Sequence, residues 1–387
     1  MAGLAKPLQC LMGVGKNGEC GANMVDAEID ARALKNRRSL QSPPSSFINL
    51  KVRQVFSMKR TCSRSPLTMR SKGAAPLRMR IIRFGDHVGS IGSKADLDRR
   101  LSGRVGIIPV ANIMMMMPWR ISPSADGALL FVTNLDSRVP GVHVLNALDG
   151  SYVRAFCEGS ELMPLAICVH HQLLLVAESD QIHVIDIPSE SLVRTIGRAG
   201  NGDGDGELDG PAGMCVSGDL LFVCETLAHF RQRSSRVSVF QLSTGEFLRT
   251  FGAQGSGSAE MSDLTGMCLS PDGELLFVAD GGNHCVHVFR AADGAHVRTI
   301  GSKGNDDGQF NYPYDVCVSP SGEWLFVAEL RNKRVQVLSA SDGTYARTLG
   351  EDVVNKPMGM CVAAQGASNL LYVTDCIGFD RIHAFSL

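Results

Sequence analysis

Five cysteines and four histidines recur at matching positions along the chain, and both residue types can bind soft metal ions. The sets are Cys168, Cys215, Cys268, Cys317 and Cys361, and His143, His183, His287 and His383. A ring of thiols could hold a metal, but free cysteine also serves as a small buried hydrophobic residue, and we favour that role here. Catalytic zinc needs three protein ligands about 2 Å from one ion, and histidines on separate outer strands cannot converge so closely. We predict no metal site and no cofactor.

The acidic run NGDGDGELDG at residues 201–210 resembles the start of a calcium loop. Positions 1, 3, 5 and 6 of such a loop would be Asn201, Asp203, Asp205 and Gly206. Position 12, which requires a bidentate glutamate, is Ala212. Because DGEL here corresponds to DGQF at residues 307–310, we interpret the run as a recurring loop rather than an ion site.

These residues belong to a longer repeat, which determines the fold. Six copies of one apolar segment end at Asn134, Glu178, Glu225, Asp280, Glu329 and Asp375; the fourth reads LLFVAD. Their central valines are separated by 44, 47, 55, 49 and 46 residues, the period of a four-stranded propeller blade. Each unit contains four short strands, which we name a to d in chain order, joined by Gly- and Asp-rich turns. We therefore predict an all-β, six-bladed β-propeller, in which the acids that end strand b accept hydrogen bonds from the following turn.

The fifth unit carries the clearest motif, with DGQF at 307–310, Pro313, a VAE strand end at 327–329 and the run NKRVQV at 332–337. This pattern resembles the NHL repeat family, and it recurs over about residues 77–387. The first unit departs most, and we expect Arg120 to stand where the other units have the cysteine of strand a. The resemblance implies the propeller fold, but propellers host many unrelated activities.

Closure of the ring requires pairing between the first and last parts of the propeller, since open blades leave unpaired strand edges. The last unit stops after its third strand, at residues 381–387. The missing outer strand is predicted at residues 77–85, whose Phe84-Gly85 ending matches other d strands. Residues 77–387 would then form the propeller and residues 1–76 a disordered basic tail.

The charge of the chain is unevenly distributed. Residues 1–80 contain 15 Lys and Arg against 4 Asp and Glu, whereas residues 81–387 contain 23 against 35. No apolar run reaches the 18 or more residues of a membrane helix, and none of the 12 cysteines forms a Cys-x-x-Cys pair. We expect a cytoplasmic monomer with reduced thiols and no membrane association. The acid-poor stretch of the tail is also compatible with organelle import, although Glu19 and Asp26 argue against a transit peptide.

One face of the propeller should carry every long loop. Alternate turns of an antiparallel blade emerge at opposite ends, so the b-to-c turns and the d-to-a crossovers share one face. We call this the loop face. Variable loops on a rigid scaffold commonly bind ligands. The basic residues predicted to bind a partner there are Arg231, Arg233, Arg236, Arg331, Lys333 and Arg334.

The resemblance implies two kinds of partner and leaves an enzyme as a third alternative. Relatives of the tripartite-motif type recognise substrates for ubiquitination, although this chain shows no RING or coiled coil, and other relatives bind single-stranded RNA. Metal-dependent lactonases and amidating lyases also use six-bladed propellers, but the channel positions here carry Cys, Gly, Met and Val. We predict a non-enzymatic scaffold for a protein partner. RNA is the next alternative, and it ranks below protein because the net negative charge of residues 81–387 repels the phosphate groups of RNA.

Overall fold

The structure is a computed structural model that describes residues 105–108, 117–135, 140–157, 163–178, 180–198, 204–225, 235–365, 368–376 and 381–387. Every described residue belongs to the unit formed by residues 91–387. The described part consists of strands and turns, and it holds no helix long and apolar enough to cross a membrane.

The strands form six antiparallel blades of four, plus one short pair. The first strand of the chain, β1, spans Val105–Ile108. The first blade contains β2 (Pro118–Pro123), β3 (Leu129–Asn134), β4 (Gly141–Asn146) and β5 (Tyr152–Phe156). The second contains β6 (Ala166–His170), β7 (Leu173–Ala177), β8 (Ile182–Asp186) and β9 (Ser191–Ile196). The third contains β10 (Pro211–Ser217), β11 (Leu220–Glu225), β12 (Val237–Gln241) and β13 (Phe247–Phe251).

A two-stranded parallel pair follows, made of β14 (Ala253–Gln254) and β15 (Glu260–Met261). The fourth blade contains β16 (Leu264–Leu269), β17 (Leu275–Asp280), β18 (Cys285–Arg290) and β19 (His296–Ile300). The fifth contains β20 (Pro313–Val318), β21 (Trp324–Glu329), β22 (Arg334–Ser339) and β23 (Tyr345–Leu349). The sixth contains β24 (Pro357–Gln365), β25 (Ser368–Asp375) and β26 (Arg381–Ser386) together with β1. The predicted six-bladed all-β propeller is confirmed.

The six strands in position a line a central channel, because each contacts the a strands of the two neighbouring blades. The hydrophobic core lies between blades rather than within them. Each blade interface has its own cluster of buried residues, such as Ile121 of the first blade with Tyr372 of the sixth. The third residue of the repeated apolar segment, for example Phe277 or Phe326, is 1% exposed. Burial of this aromatic layer accounts for the recurrence of the segment.

The turns between strands a and b depend on Asp and Gly, as predicted. In the fourth blade the Asp272 carboxylate accepts hydrogen bonds from the Ser270 hydroxyl (2.5 Å) and the Glu274 backbone N–H (3.0 Å). Gly273 has φ of +75°, a left-handed conformation that glycine adopts without steric cost. Turns of this kind make the connections on the face opposite the loop face short and well hydrogen-bonded.

The ends of the propeller pair with each other, but the closing strand is not the predicted one. β1 lies antiparallel to β26, with Val105 opposite Phe385 and Ile108 opposite Ile382. The place assigned to residues 77–85 is therefore taken by β1, and residues 77–85 themselves lie outside the described part of the chain. The VGII sequence of β1 is β-branched and apolar, and Pro109 has no N–H to continue the ladder. The domain boundary at residue 77 and the disorder of the tail stay predictions.

Candidate functional site

Buried acids at the ends of the b strands organise the loop face. Glu329 accepts hydrogen bonds from Arg334 Nε (2.6 Å), Asn332 Nδ2 (2.6 Å) and the Asn311 backbone N–H (2.9 Å). Asn332 lies in the following turn, which confirms the predicted bond, and Asn311 lies in the crossover that enters the blade. The equivalent Asp375 accepts the backbone N–H groups of Asn355 and Lys356, both at 2.8 Å. One carboxylate thus anchors two loops, and we call this arrangement an acid clasp.

Two of the predicted binding arginines are parts of acid clasps. Arg334 Nε lies 2.6 Å from Glu329 and Arg236 Nε lies 3.0 Å from Glu225; both arginine side chains are only 12% exposed. Burial raises the pKa of Glu225, and Arg236 acts against that shift by its positive charge. Both arginines also donate to crossover carbonyls, such as Arg236 to Glu207 O at 2.9 Å. Their observed contacts are structural, so substituting either one would disturb the loops.

The other predicted basic residues have different surroundings. Arg331 and Lys333 are exposed on the b-to-c turn of the fifth blade. The Arg331 guanidinium lies over the ring of Tyr312, 4.8 Å from its centroid. Arg231 and Arg233 lie outside the described residues. Arg331 and Lys333 are therefore the two predicted binding residues that the described structure places on the surface.

Arg331 lies against one end of a group of aromatic side chains on the loop face, near the first residues of two a strands. Trp119 meets Tyr314 edge to face at a centroid distance of 5.6 Å, and Tyr312 stacks on Tyr314 at 6.3 Å. The Tyr312 hydroxyl donates to Asp263, and its backbone N–H donates to His284 Nδ1 at 3.0 Å. We call Trp119, Tyr312, Tyr314 and Arg331 the mouth patch. Its members come from the first and fifth blades, which are neighbours only through the sixth, so their proximity was not visible in the sequence.

A charged pair lies inside the channel, where the sequence suggested only uncharged side chains. Arg120 Nη1 is 3.4 Å from Asp315 Oδ2, and Arg120 also donates to the backbone carbonyls of Thr265, Tyr314 and Met358. A single guanidinium from the first blade therefore contacts the fourth, fifth and sixth blades. Burial raises the pKa of Asp315, while Arg120 and the backbone N–H groups of Met360 and Val316 oppose that rise.

The strand register corrects the expected alignment of the first blade. Ser122 faces Phe131 as Cys317 faces Phe326, so Ser122 and not Arg120 occupies the cysteine position. Arg120 and Asp315 each lie two residues earlier, where the other blades have Ala166, Gly213, Gly266 and Gly359. A Cβ atom at Gly359 would lie 2.6 Å from Trp119 O and 2.9 Å from Arg120 Cα. Small residues at this level leave room for one large ion pair.

The recurring cysteines pack between blades beside the channel, as we favoured. Cys317 belongs to the cluster between the fifth and sixth blades, and Cys361 to the cluster between the sixth and first. Burial raises the pKa of the Cys168 thiol to about 12 and that of Cys268 well above its usual value. The channel beside them is a cavity of about 380 Å³.

We predict that these thiols react slowly in the native protein. The thiolate is the reactive form, and burial keeps Cys215, Cys268, Cys317 and Cys361 protonated near neutral pH. Iodoacetamide at pH 8 should modify them at least about 100-fold more slowly than in urea-unfolded protein, given how strongly thiol reactivity follows pKa. Site-resolved mass spectrometry measures the rates, and equal rates in both states would show that the packing assignment is wrong.

Three of the four recurring histidines lie beside the acid of their own blade, and they do not share one site. His183 Nε2 lies 3.5 Å from Glu178, and His383 Nε2 lies 3.2 Å from Asp375. In the fourth blade His287 Nε2 lies 3.3 Å from Asp280 and 3.5 Å from Cys285 Sγ. Asp280, Cys285 and His287 are buried together, and their ligand atoms all lie within 4.8 Å of one another. Possible metal-ligand atoms therefore come together within one blade. Aligning the repeats in the sequence compares one blade with another and does not reveal such a group.

The acidic run at 201–210 has the local bonds of a recurring loop in its described part. Glu207 accepts the Gly204 backbone N–H at 3.2 Å, as Glu260 accepts that of Gly257 at 2.9 Å and Gln309 that of Asp306 at 3.3 Å. Asn201 and Asp203 lie outside the described residues. Glu207 occupies the position of Gln309 in the repeat, and the uncharged Gln309 makes the same hydrogen bond. The shared role of the two side chains is therefore to close the loop.

Comparisons with known proteins agree with this architecture. The NHL repeat family matches residues 262–289, which include β16 and β17. The hydrazine synthase of Kuenenia stuttgartiensis is a similar solved structure, with a TM-score of 0.50, 15% identity and coverage of 71% of this chain and 97% of that chain. At this identity the likeness concerns the fold alone. A comparison with curated protein sequences gave no match. The chain is a six-bladed β-propeller whose fourth blade matches the NHL repeat family.

Proposed function

We propose that the propeller is a non-enzymatic binding scaffold that recognises a protein partner on its loop face. The mouth patch is the observation that carries this proposal. The whole chain has only 2 Trp and 5 Tyr, and three of these seven residues gather there. Arg331 is exposed and Trp119 and Tyr312 are half-buried, whereas Tyr314 is buried and supports them. The residues that contribute most to binding in protein interfaces are enriched in Trp, Tyr and Arg.

The acid clasps support the same proposal, because they hold the loops of this face in place before any partner arrives. Asp280 accepts the backbone N–H groups of Ser262 (3.0 Å), Asp263 (3.3 Å) and Asn283 (2.9 Å). Asp263 in turn accepts the Tyr312 hydroxyl. A pre-organised surface loses little conformational freedom on binding, which favours affinity.

The resemblance of the repeats to those of tripartite-motif relatives extends the proposal. We infer that a partner bound on the loop face is delivered to a ubiquitin ligase, with this chain as the substrate-recognition element. The channel favours binding over catalysis, since Arg120 and Asp315 direct their hydrogen bonds to each other and to backbone groups. RNA remains the alternative partner, as aromatic side chains also stack on bases.

A pull-down from ribonuclease-treated cell extract tests the face and the class of partner together. The loop-face variant combines Arg331→Glu with Lys333→Glu and spares Arg236 and Arg334, which hold clasps. The matched control combines Glu274→Lys with Glu323→Lys, whose exposed side chains lie on the a-to-b turns of the opposite face. We expect the loop-face variant to lose most of the captured protein, chiefly through slower association, and the control to retain it.

Three results would contradict the proposal. Loss of the partner only in the control variant would place binding on the opposite face. Loss on ribonuclease treatment would favour the RNA alternative. Capture that neither pair of substitutions affects would show that the loop face is not the binding surface.

A further inference from the structure

The fourth blade differs from its neighbours at the residue that lies opposite the acid of strand b. The third and fifth blades have Arg236 and Arg334 at this point, and each forms an ion pair with the buried acid of strand b. The fourth blade has Cys285, which lies directly opposite Asp280. Asp280 is fully buried, so this clasp contains a buried carboxylate without the arginine that accompanies Glu225 and Glu329.

Two of the three distances among the ligand atoms around this carboxylate match a tetrahedral zinc shell. Zn–S distances of about 2.3 Å and Zn–N or Zn–O distances of about 2.0–2.1 Å require N–O separations near 3.3 Å and S–N separations near 3.5 Å. The structure has 3.3 Å between His287 Nε2 and Asp280 Oδ2, and 3.5 Å between Cys285 Sγ and His287 Nε2. All three atoms lie within 4.8 Å of one another.

The surrounding hydrogen bonds orient these groups for a cation. The Thr299 hydroxyl lies 3.2 Å from His287 Nδ1, 3.1 Å from His296 Nε2 and 3.3 Å from Ser258 O. In the tautomer whose Nδ1 donates to this hydroxyl, the His287 Nε2 lone pair is directed toward Cys285 and Asp280. Asp280 Oδ2 is itself held by Asn283 Nδ2 at 2.9 Å. Such outer contacts fix metal ligands in known sites.

We propose that Asp280, Cys285 and His287 form a zinc site beneath the loop face of the fourth blade. Cys, His and carboxylate ligands together suit Zn²⁺ better than a hard cation such as Mg²⁺. Binding replaces the thiol proton of Cys285, which passes to solvent, by a Zn–S bond. The ion also fixes the b-to-c turn that holds His284, and His284 contacts Tyr312 of the mouth patch.

Titration of the chelator-stripped full chain with Co²⁺ tests the site, because a Cys-ligated cobalt ion gives a thiolate charge-transfer band and visible bands typical of tetrahedral coordination. We expect about one cobalt ion per chain, displaced by Zn²⁺. Cys285→Ser should abolish the charge-transfer band, and His287→Gln should weaken affinity at least about tenfold. Two matched variants should leave the charge-transfer band and the cobalt affinity unchanged. Cys361→Ser removes a channel thiol, and His383→Gln alters the equivalent histidine–acid pair of the sixth blade.

The outcomes separate the zinc site from its alternatives. A wild-type chain without the band would show that only a proton bridges His287 and Asp280, as in the blades without the cysteine. A band that persists in Cys285→Ser would place the metal on other thiols. If Cys285→Ser does not fold, Cys285→Ala and the wild-type titration still decide. The result is independent of the proposed partner, since no binding protein enters the measurement.

Discussion

Replacing Arg120 by methionine is expected to lower the free energy of unfolding by about 3–5 kcal/mol, because the change leaves the Asp315 carboxylate buried and unpaired. Methionine keeps most of the side-chain volume but none of the donors that reach Thr265, Tyr314 and Met358. Urea unfolding followed by circular dichroism measures the loss. Arg290→Met is the matched control: Arg290 pairs with Asp293 at the surface, with side chains 58% and 52% exposed, and the change should lower the free energy of unfolding far less than Arg120→Met.

The pH dependence and a double variant distinguish lost charge pairing from lost packing. Burial raises the pKa of Asp315 above its usual value, and removing Arg120 should raise it further. A carboxyl group whose pKa is higher in the folded state destabilises that state above the folded pKa, and the penalty disappears as the pH falls toward the unfolded value. The defect of Arg120→Met should therefore shrink as the pH falls from 7 to about 4. Arg120→Met combined with Asp315→Asn should recover most of the loss at pH 7. A pH-independent defect that the second substitution does not relieve would contradict the role of the pair.

Removing β1 is expected to have the second large effect. A chain that begins after residue 112 lacks the strand that pairs with β26, so it exposes an open sheet edge and loses the hydrogen bonds of a four-residue ladder. We expect it to lose about 3 kcal/mol or more, at roughly 1 kcal/mol per hydrogen bond. The melting temperature should fall by roughly 10 °C. Differential scanning calorimetry measures the change.

The control for this truncation is a chain that begins at residue 98 and keeps β1. It lacks residues 77–85, which the sequence alone suggested as the closing strand. Melting that matches the full-length chain would confirm that Val105–Ile108 closes the ring. If the two truncated chains melt together well below the full-length chain, residues before 98 supply the stabilising contacts instead.

The architecture was predictable because its determinants are local and repeated. The segment LLFVAD and the SPDG turn that precedes it carry their own strand and turn preferences, and six copies at a blade-like period leave few alternatives to a ring. The hydrogen bonds of the acids that end the b strands were also predictable, since a carboxylate at the start of a tight turn commonly accepts from nearby backbone N–H groups. The predicted contact between Asp280 and the Asn283 backbone N–H is present.

The remaining features depend on contacts between distant parts of the chain. Arg120 and Asp315 are close only because the ring brings the first and fifth blades to one axis, and the irregular first repeat hid the register that aligns them. β1 is four residues long and lacks the Phe-Gly or Ile-Gly ending of other d strands. The cysteine of the proposed zinc site did leave a signal in the sequence: Cys285 stands where the third, fifth and sixth blades have an arginine at or just before the start of strand c, at Arg236, Arg334 and Arg381.

The contacts of Arg120 also bear on how such a ring could change in evolution. Propellers can gain or lose blades by duplication or deletion of whole repeats, and each such event alters the diameter of the channel. Arg120 donates to carbonyls of the opposite fourth blade, of the fifth blade and of the adjacent sixth blade, so its contacts depend on how six blades are placed around the axis. A ring with another number of blades would place these carbonyls at different distances from the guanidinium. We expect the acquisition of this one arginine to have made the blade number of this propeller difficult to change.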